Sequence, residues 1–192
     1  MNFEKNCKKC RKNVHCCIFE NDSGFTFAGI KDAKKIKNKI NKEYSYFLDY
    51  SPLPKKVVDC LKYDDPVLEG KLRYSQLDKK KCLLRLKTKK DGRCIFLDKS
   101  NQCEIYFFRP NICKIFPFWA IKLINGKIKI ISHDAQPDCS ITKSIVKKHE
   151  DIDDALAKEE KNEIKKIFKS IKQEAIFYNK NIKRFIKKHN IC

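Results

Sequence analysis

The stretch CIFLDKSNQCEIYFFRPNICKIFPFW, residues 94–119, sets the fold of this chain. It spaces three cysteines as Cys94-x8-Cys103-x9-Cys113 among Ile95, Phe96, Leu97, Ile105, Phe108, Ile115 and Trp119. A shell this apolar keeps water and oxidants from a thiolate site and tunes any redox potential built on it. A second group lies upstream, Cys7-x2-Cys10-x5-Cys16-Cys17, and Cys139 follows alone. A C-x2-C loop brings two thiolates to one metal and turns backbone N–H groups toward sulfur, offsetting negative charge. Adjacent Cys16 and Cys17 point apart as neighbouring side chains do. They suit two sites, or one ligand and one packing thiol. Free cysteine is also a common core residue, but eight thiols clustered this way favour ligation.

The rest of the composition narrows the class. The chain has 192 residues, 11 cysteines and no apolar run near the roughly 18 residues a bilayer span needs. The start, Met1-Asn2-Phe3-Glu4-Lys5-Asn6-Cys7, has no apolar signal-peptide core, so the expected location is the cytoplasm. In that reducing compartment clustered thiols read as metal or redox groups rather than a disulfide scaffold. The five glycines form no GxGxxG, Walker A or GxSxG motif, which disfavours nucleotide-loop enzymes and ordinary serine hydrolases. No carboxylate pair or Ser/His/Asp set has a spacing that marks an acid–base site.

The formal net charge is +20, from 44 Lys plus Arg against 24 Asp plus Glu. It is built from 38 Lys and only 6 Arg, beside 23 Ile and 13 Asn. That combination follows from A/T-rich coding, and base-reading proteins lean on Arg. The lysines are spread along the chain rather than gathered in one block. A solvated surface that helps an acidic protein or redox partner dock is therefore expected ahead of nucleic-acid binding.

The array of Cys7, Cys10, Cys16 and Cys17, then Cys94-Ile-Phe-Leu, then Cys103-x-Ile-Tyr-x2-Arg-Pro-x2-Cys113-x2-Phe-Pro, resembles the YkgJ-like cysteine-cluster family over roughly residues 5–141. That family is also called the CxxCxxCC, or zinc- or iron-chelating, domain, and some members carry the name flagellin N-methylase. The resemblance implies metal chelation by eight cysteines, which fall on Cys7, Cys10, Cys16, Cys17, Cys94, Cys103, Cys113 and Cys139. At the last of these the glycine that often follows in the family is replaced by Ser140. Lysine methyl transfer is implied by the family name alone, and no S-adenosylmethionine loop is visible. Cys60, Cys82 and Cys192 fall outside the pattern; Cys82 leads a strand and reads as a core thiol. His15 and His133 could complete a Cys3His site, though hydrogen-bonded or surface imidazoles explain them more simply. Arg109 could pair with cluster charge or bond loop carbonyls. Tyr106 and Trp119 read as packing residues.

Local patterns predict an α+β fold: a small cysteine-rich, metal-stapled domain with short antiparallel hairpins and a helical C-terminal segment. Ile30, Ala33, Ile36, Ile40, Tyr44 and Phe47 predict one amphipathic helix, with Asp32 as its N-cap. Residues 48–80 read as irregular connection with one short helix. Leu83–Thr88, the turn at Asp91-Gly92 and residues 94–97 predict a hairpin. Residues 103–116 predict a helical turn broken at Pro110, and residues 119–124 and 127–132 a second hairpin around Asn125-Gly126. From Ile152 to Ile186 there is no Gly or Pro, and the apolar spacing predicts one long helix or two. The expected division is a metal-binding domain at 1–141 and a helical extension at 142–192 packed on it.

Four thiolates around Zn²⁺ or around a [4Fe–4S]²⁺ core both leave a net charge of −2, so charge does not choose between them. Zinc-finger CxxC…CxxC pairs, the ferredoxin run and the C-x3-C-x2-C run of radical enzymes are all missing. The aromatic shell and spare cysteines favour an iron–sulfur centre with a redox role. The alternative is a structural zinc module that binds protein or nucleic acid.

Overall fold

The computed structural model describes residues 15–19, 26–63, 76–122, 128–132 and 152–191. Cys7, Cys10, His133, Cys139, Cys192 and the turn at Asn125-Gly126 lie outside the described residues. The fold is α+β, with short two-stranded antiparallel sheets and a long C-terminal helix.

Helix α1 (Ile30–Ile40) buries Ile30, Ala33 and Ile36, the face its spacing predicts. The helix does not run on to Phe47. Asn41 takes a left-handed φ of 52° and its N–H bonds Lys37 O at 2.9 Å, after which the chain re-enters helix as α2 (Tyr44–Phe47). Asparagine tolerates that conformation better than most residues, so it ends the helix where periodicity alone sees continuity. Asp32 is not the N-cap. That position belongs to Gly29, which has no side chain to offer. The cap arrives from 143 residues away, where Glu174 Oε1 accepts the Lys31 N–H at 2.9 Å. A Cβ on Gly29 would overlap Glu174 Cγ, so only glycine admits this cap.

Strand β1 (Leu48–Pro52) leads through α3 (Lys55–Tyr63) to β2 (Cys82–Leu86), which pairs with it antiparallel, Tyr50 opposite Leu84. The hairpin predicted at Asp91-Gly92 forms only in part: Lys89 N–H bonds Arg93 O at 2.7 Å, Ile95 N–H bonds Lys87 O at 2.9 Å and Thr88 bridges Cys94, but 94–97 is not a continuous strand and these bonds lie past the end of β2. β1 escaped the sequence reading because Pro52 and Pro54 mark it as connection and three of its residues are half-buried without alternation. The second hairpin forms as predicted, β3 (Phe118–Lys122) against β4 (Ile128–Ser132), with Trp119 opposite Ile131. Residues 106–108 form a 3-10 turn, and α4 (Asn111–Ile115) starts immediately after Pro110.

The C-terminal segment holds α5 (Ile152–Ala155) and α6 (Lys158–His189). At 32 residues, α6 is about 48 Å long. Glu160 reaches back to the Ala157 N–H at 3.0 Å at its start, and left-handed Asn190 closes its end. Its inner stripe serves two apolar cores. Ile164, Phe168 and Ile171 pack with Ile115, Phe118 and Ile130 beside the second hairpin. Tyr178, Ile182 and Phe185 pack with Phe27, Phe47, Leu84 and Phe96 around the first.

Two polar anchors fix α6 against these cores. The fully buried Tyr178 hydroxyl accepts the Leu84 N–H at 2.9 Å. Tyr178→Phe leaves that N–H without its acceptor and is expected to cost about 1–3 kcal/mol, read as a lower urea midpoint at unchanged slope; an unchanged midpoint would refute the anchor. Glu174 is the second anchor. It is buried, Oε2 has no hydrogen-bond partner among the described residues, and burial pushes its carboxyl above the ordinary range. A carboxyl that holds its proton more tightly in the folded state stabilises the fold fully below its unfolded pKa. That contribution is lost as pH rises through the folded value. Glu174→Gln keeps the acceptor for Lys31 and should flatten the decline of stability with rising pH in denaturant titrations; Asp32, also pushed up by burial, retains part of the slope.

Candidate metal centre

The cysteine groups are joined by backbone before any metal is considered. A 3-10 turn, His15–Cys17, leads into an antiparallel contact in which Cys94 N–H donates to Cys17 O at 2.7 Å. Ile18 bridges Arg93, and Phe19 N–H donates to Gly92 O at 2.9 Å. Gly92 is required here twice over. Its φ is 78°, which closes the predicted turn onto Lys89 O at 2.9 Å, and a Cβ would stand 2.5 Å from the Phe19 carbonyl oxygen.

From Cys94 the chain folds back within ten residues. Asp98 Oδ1 accepts the N–H groups of Ser100 and Gln102 at 2.8 Å each, while the Arg93 guanidinium holds Asp98 O and Asn101 Oδ1. This loop sets Cys103 opposite Leu97, and Glu104 N–H bonds Phe96 O at 2.9 Å. Cys113 comes from α4. The first N–H of that helix, on Asn111, is capped by Asp32 Oδ2 at 3.1 Å, and Asn111 Nδ2 bonds Ser170 Oγ of α6 at 3.0 Å. Asp32 therefore caps the helix that carries Cys113 rather than its own.

Five predicted ligands thus share one neighbourhood: Cys16, Cys17, Cys94, Cys103 and Cys113. Cys16 and Cys17 do not diverge as expected of neighbouring side chains: in the tight 3-10 turn His15–Cys17 their sulfurs stand 3.8 Å apart. Cys17 feels the charge of Cys16, Cys113 and Cys94, and Cys113 feels that of Cys94, Cys103 and Cys16. Burial pushes the Cys94 thiol up to about 11 and raises Cys103; it raises Cys113 well above the ordinary value. Cys17 is raised well above it, first by its hydrogen bond with Cys16 and then by burial, and that same bond lowers Cys16. Arg109 acts on Cys16, Cys103 and Cys113 as a stabilising cation and lies over the Tyr106 ring at 4.3 Å. Among the described residues no three His, Cys, Asp or Glu side chains close into a metal-ligand group. The five thiols are gathered rather than set at coordination distance.

The donor chemistry fits a thiophilic metal. All five donors are sulfur; Cys94 is buried, Cys17 and Cys103 are half-buried against Phe96, Leu97 and Ile105, Cys113 is half-buried, and Cys16 is exposed. Sulfur-rich sets select zinc or iron–sulfur clusters over hard cations. Without a metal Cys17, Cys94, Cys103 and Cys113, all raised above the ordinary thiol value, hold their protons, so metal binding must release them. Cys7, Cys10 and Cys139 fall outside the described residues. Cys82 is buried at the start of β2 and raised by burial and by Asp78. Cys60 lies in α3, Trp119 on β3 and His15 in the 3-10 turn. The clamp formed by Asp32, Asn111 and Ser170 was missed by sequence reasoning. Its only local signal is Pro110 before a short helix, which marks an N-terminus but not its capping partner.

Among the described residues no helix is long and apolar enough to cross a membrane. No solved structure matches the chain significantly. A stretch of 40 residues is 45% identical to the uncharacterized protein MJ0661 of Methanocaldococcus jannaschii, covering 20% of this chain and 21% of that protein. The match therefore spans about a fifth of that relative's length. The family model CxxCxxCC, described as "Putative zinc- or iron-chelating domain", matches residues 5–140. The gathered thiols and this match lead to one conclusion: the chain belongs to the CxxCxxCC family of zinc- or iron-chelating domains.

Proposed function

We propose that the chain is an iron–sulfur protein with a redox role, in which Cys7, Cys10, Cys16, Cys17, Cys94, Cys103, Cys113 and Cys139 hold one or two centres. The observation that carries this reading is the all-sulfur neighbourhood of five thiols from three segments, in which Cys17, Cys94 and Cys103 pack with buried Phe96, Leu97 and Ile105. Bound there, a cluster supplies one-electron transfer. The residues of the chain supply the rest. The apolar residues shield the buried Cys94 most, Cys16 stays open to solvent, and Arg109 offsets the charge that accumulates on the sulfurs. Helix α6 serves as a brace, since Glu174, Tyr178 and Ser170 tie it to α1, β2 and α4. The second reading, a structural zinc module, is supported by the same donors, because zinc also takes four thiolates. The Cys82 thiol belongs to neither.

Native protein purified without air is expected to hold iron and acid-labile sulfide in near-equal amounts, with broad visible absorption bleached by dithionite. Stoichiometric zinc in a colourless, sulfide-free protein would overturn the redox reading and leave the zinc module. Cys94→Ser and Cys113→Ser should each lose metal, whereas Cys82→Ser should retain it in full. Metal loss from Cys82→Ser equal to that from Cys94→Ser would break the assignment of ligands.

Arg109 gives a separate test. Its cation acts on Cys16, Cys103 and Cys113, so it stabilises the reduced, more negative state of the centre. Arg109→Gln is expected to lower the midpoint potential, followed by absorbance in a dithionite titration. Arg109→Lys should restore part of the shift, and a potential unchanged in Arg109→Gln would remove Arg109 from the electrostatics of the site.

A further inference from the structure

The lysines that look scattered in sequence are gathered by α6. Its inner stripe is buried, and its outer face carries Lys166, Lys169, Lys180, Lys183, Arg184 and Lys187, all exposed. Positions 166, 169, 173, 176, 180, 183 and 187 alternate steps of three and four, which gathers them in one slowly winding stripe along the outer side of the helix. Between Ile164 and His189 the single acidic residue is Glu174, and it is buried on the opposite face. Among the described residues no carboxylate pairs with these six cations. The lysine-free middle of the row is bridged by the neighbouring helix: Lys31 of α1 stands over the Phe177 ring at 5.1 Å. Farther along α1, Lys34, Lys35 and Lys39 are exposed.

The chemistry of this face selects its partner. The core of a protein interface is depleted of charged residues, lysine among them, and a helix that lies in a membrane surface needs exposed apolar side chains. Here Ile176 is the one large hydrophobic residue of α6 exposed among the described residues. The face offers charge and length. From Lys166 to Lys187 the row runs about 32 Å, close to the roughly 34–36 Å of one duplex turn. Lysine makes point-charge contacts to phosphate, whereas bidentate base reading is the work of arginine, and the one arginine of this face, Arg184, stands beside the row. We propose that the outer face of α6, with α1 beside it, docks the phosphate backbone of duplex DNA without reading its sequence. This holds whichever metal the thiols bind.

The test is fluorescence anisotropy of a labelled 24-base-pair duplex of arbitrary sequence, with the full metal-loaded chain between 50 and 200 mM salt. Binding should weaken linearly in log–log form. The variant carrying Lys166→Gln, Lys169→Gln, Lys180→Gln and Lys183→Gln should lose affinity at least about tenfold, and its salt slope should shrink by roughly 3–4, given about 0.9 per phosphate contact. A matched variant carrying Lys55→Gln, Lys56→Gln, Lys79→Gln and Lys90→Gln removes the same charge from exposed positions elsewhere and should keep the parent slope. Circular dichroism and metal content on the same samples report folding and the thiol site separately. Absence of binding at 50 mM salt overturns the proposal, and so does equal loss in both variants. Competition by polyglutamate or phosphatidylserine vesicles as effective as that by the duplex at equal charge also overturns it, assigning the face to an acidic protein or a membrane surface instead.

Discussion

The short antiparallel contact between residues 17–19 and 92–94 is the constraint on which the rest of the molecule depends. Its closest bond, Cys94 N–H to Cys17 O at 2.7 Å, joins thiols separated by 77 positions in the chain. Closing so long a loop costs conformational entropy before any metal can repay it. The fold meets that cost with backbone bonds and a glycine turn. Two distant cysteine groups therefore come together through main-chain geometry, and the metal inherits a neighbourhood rather than creating one.

Around that contact the structure is a set of clamps between distant segments. Glu174 caps α1, Asp32 caps α4, and Tyr178 holds β2. Each clamp satisfies a backbone N–H that a helix start or a strand would otherwise leave open. Through them α6 reaches the helix that carries Cys113 without supplying a thiol itself. The same helix that completes the apolar cores on one side presents its cations on the other. One element thus serves packing inward and charge outward.

Burial of the thiols has a cost in the metal-free protein. Cys94, Cys103 and Cys113 are held in surroundings that disfavour their charged form, and Arg109 compensates only in part. A thiophilic cation resolves this conflict better than any side chain present, since it replaces three or four protons with one multiply charged partner. The family to which the chain belongs is consistent with that resolution. Cys82 shows the contrast: a single buried thiol among aliphatic strand residues needs no counter-charge and stays a packing residue.

The sequence by itself determined the class of the protein and most of its elements. The cysteine spacing named the family, because thiol spacing is a covalent property of the chain. The alternation around Asn125-Gly126 located the second hairpin, and the three–four spacing of Ile164, Phe168, Ile171, Ala175 and Tyr178 located the long helix; both are local periodicities. The tertiary structure decided what those patterns do not encode. The partner of β2 is β1 rather than 94–97, since strand pairing depends on which segments the cores bring together. The cap of α1 is Glu174 and not Asp32, because a side chain remote in sequence reached the N–H that Gly29 left bare. The row of cations on α6 exists only once the opposite face is buried, for it is burial that gives a helix an outside.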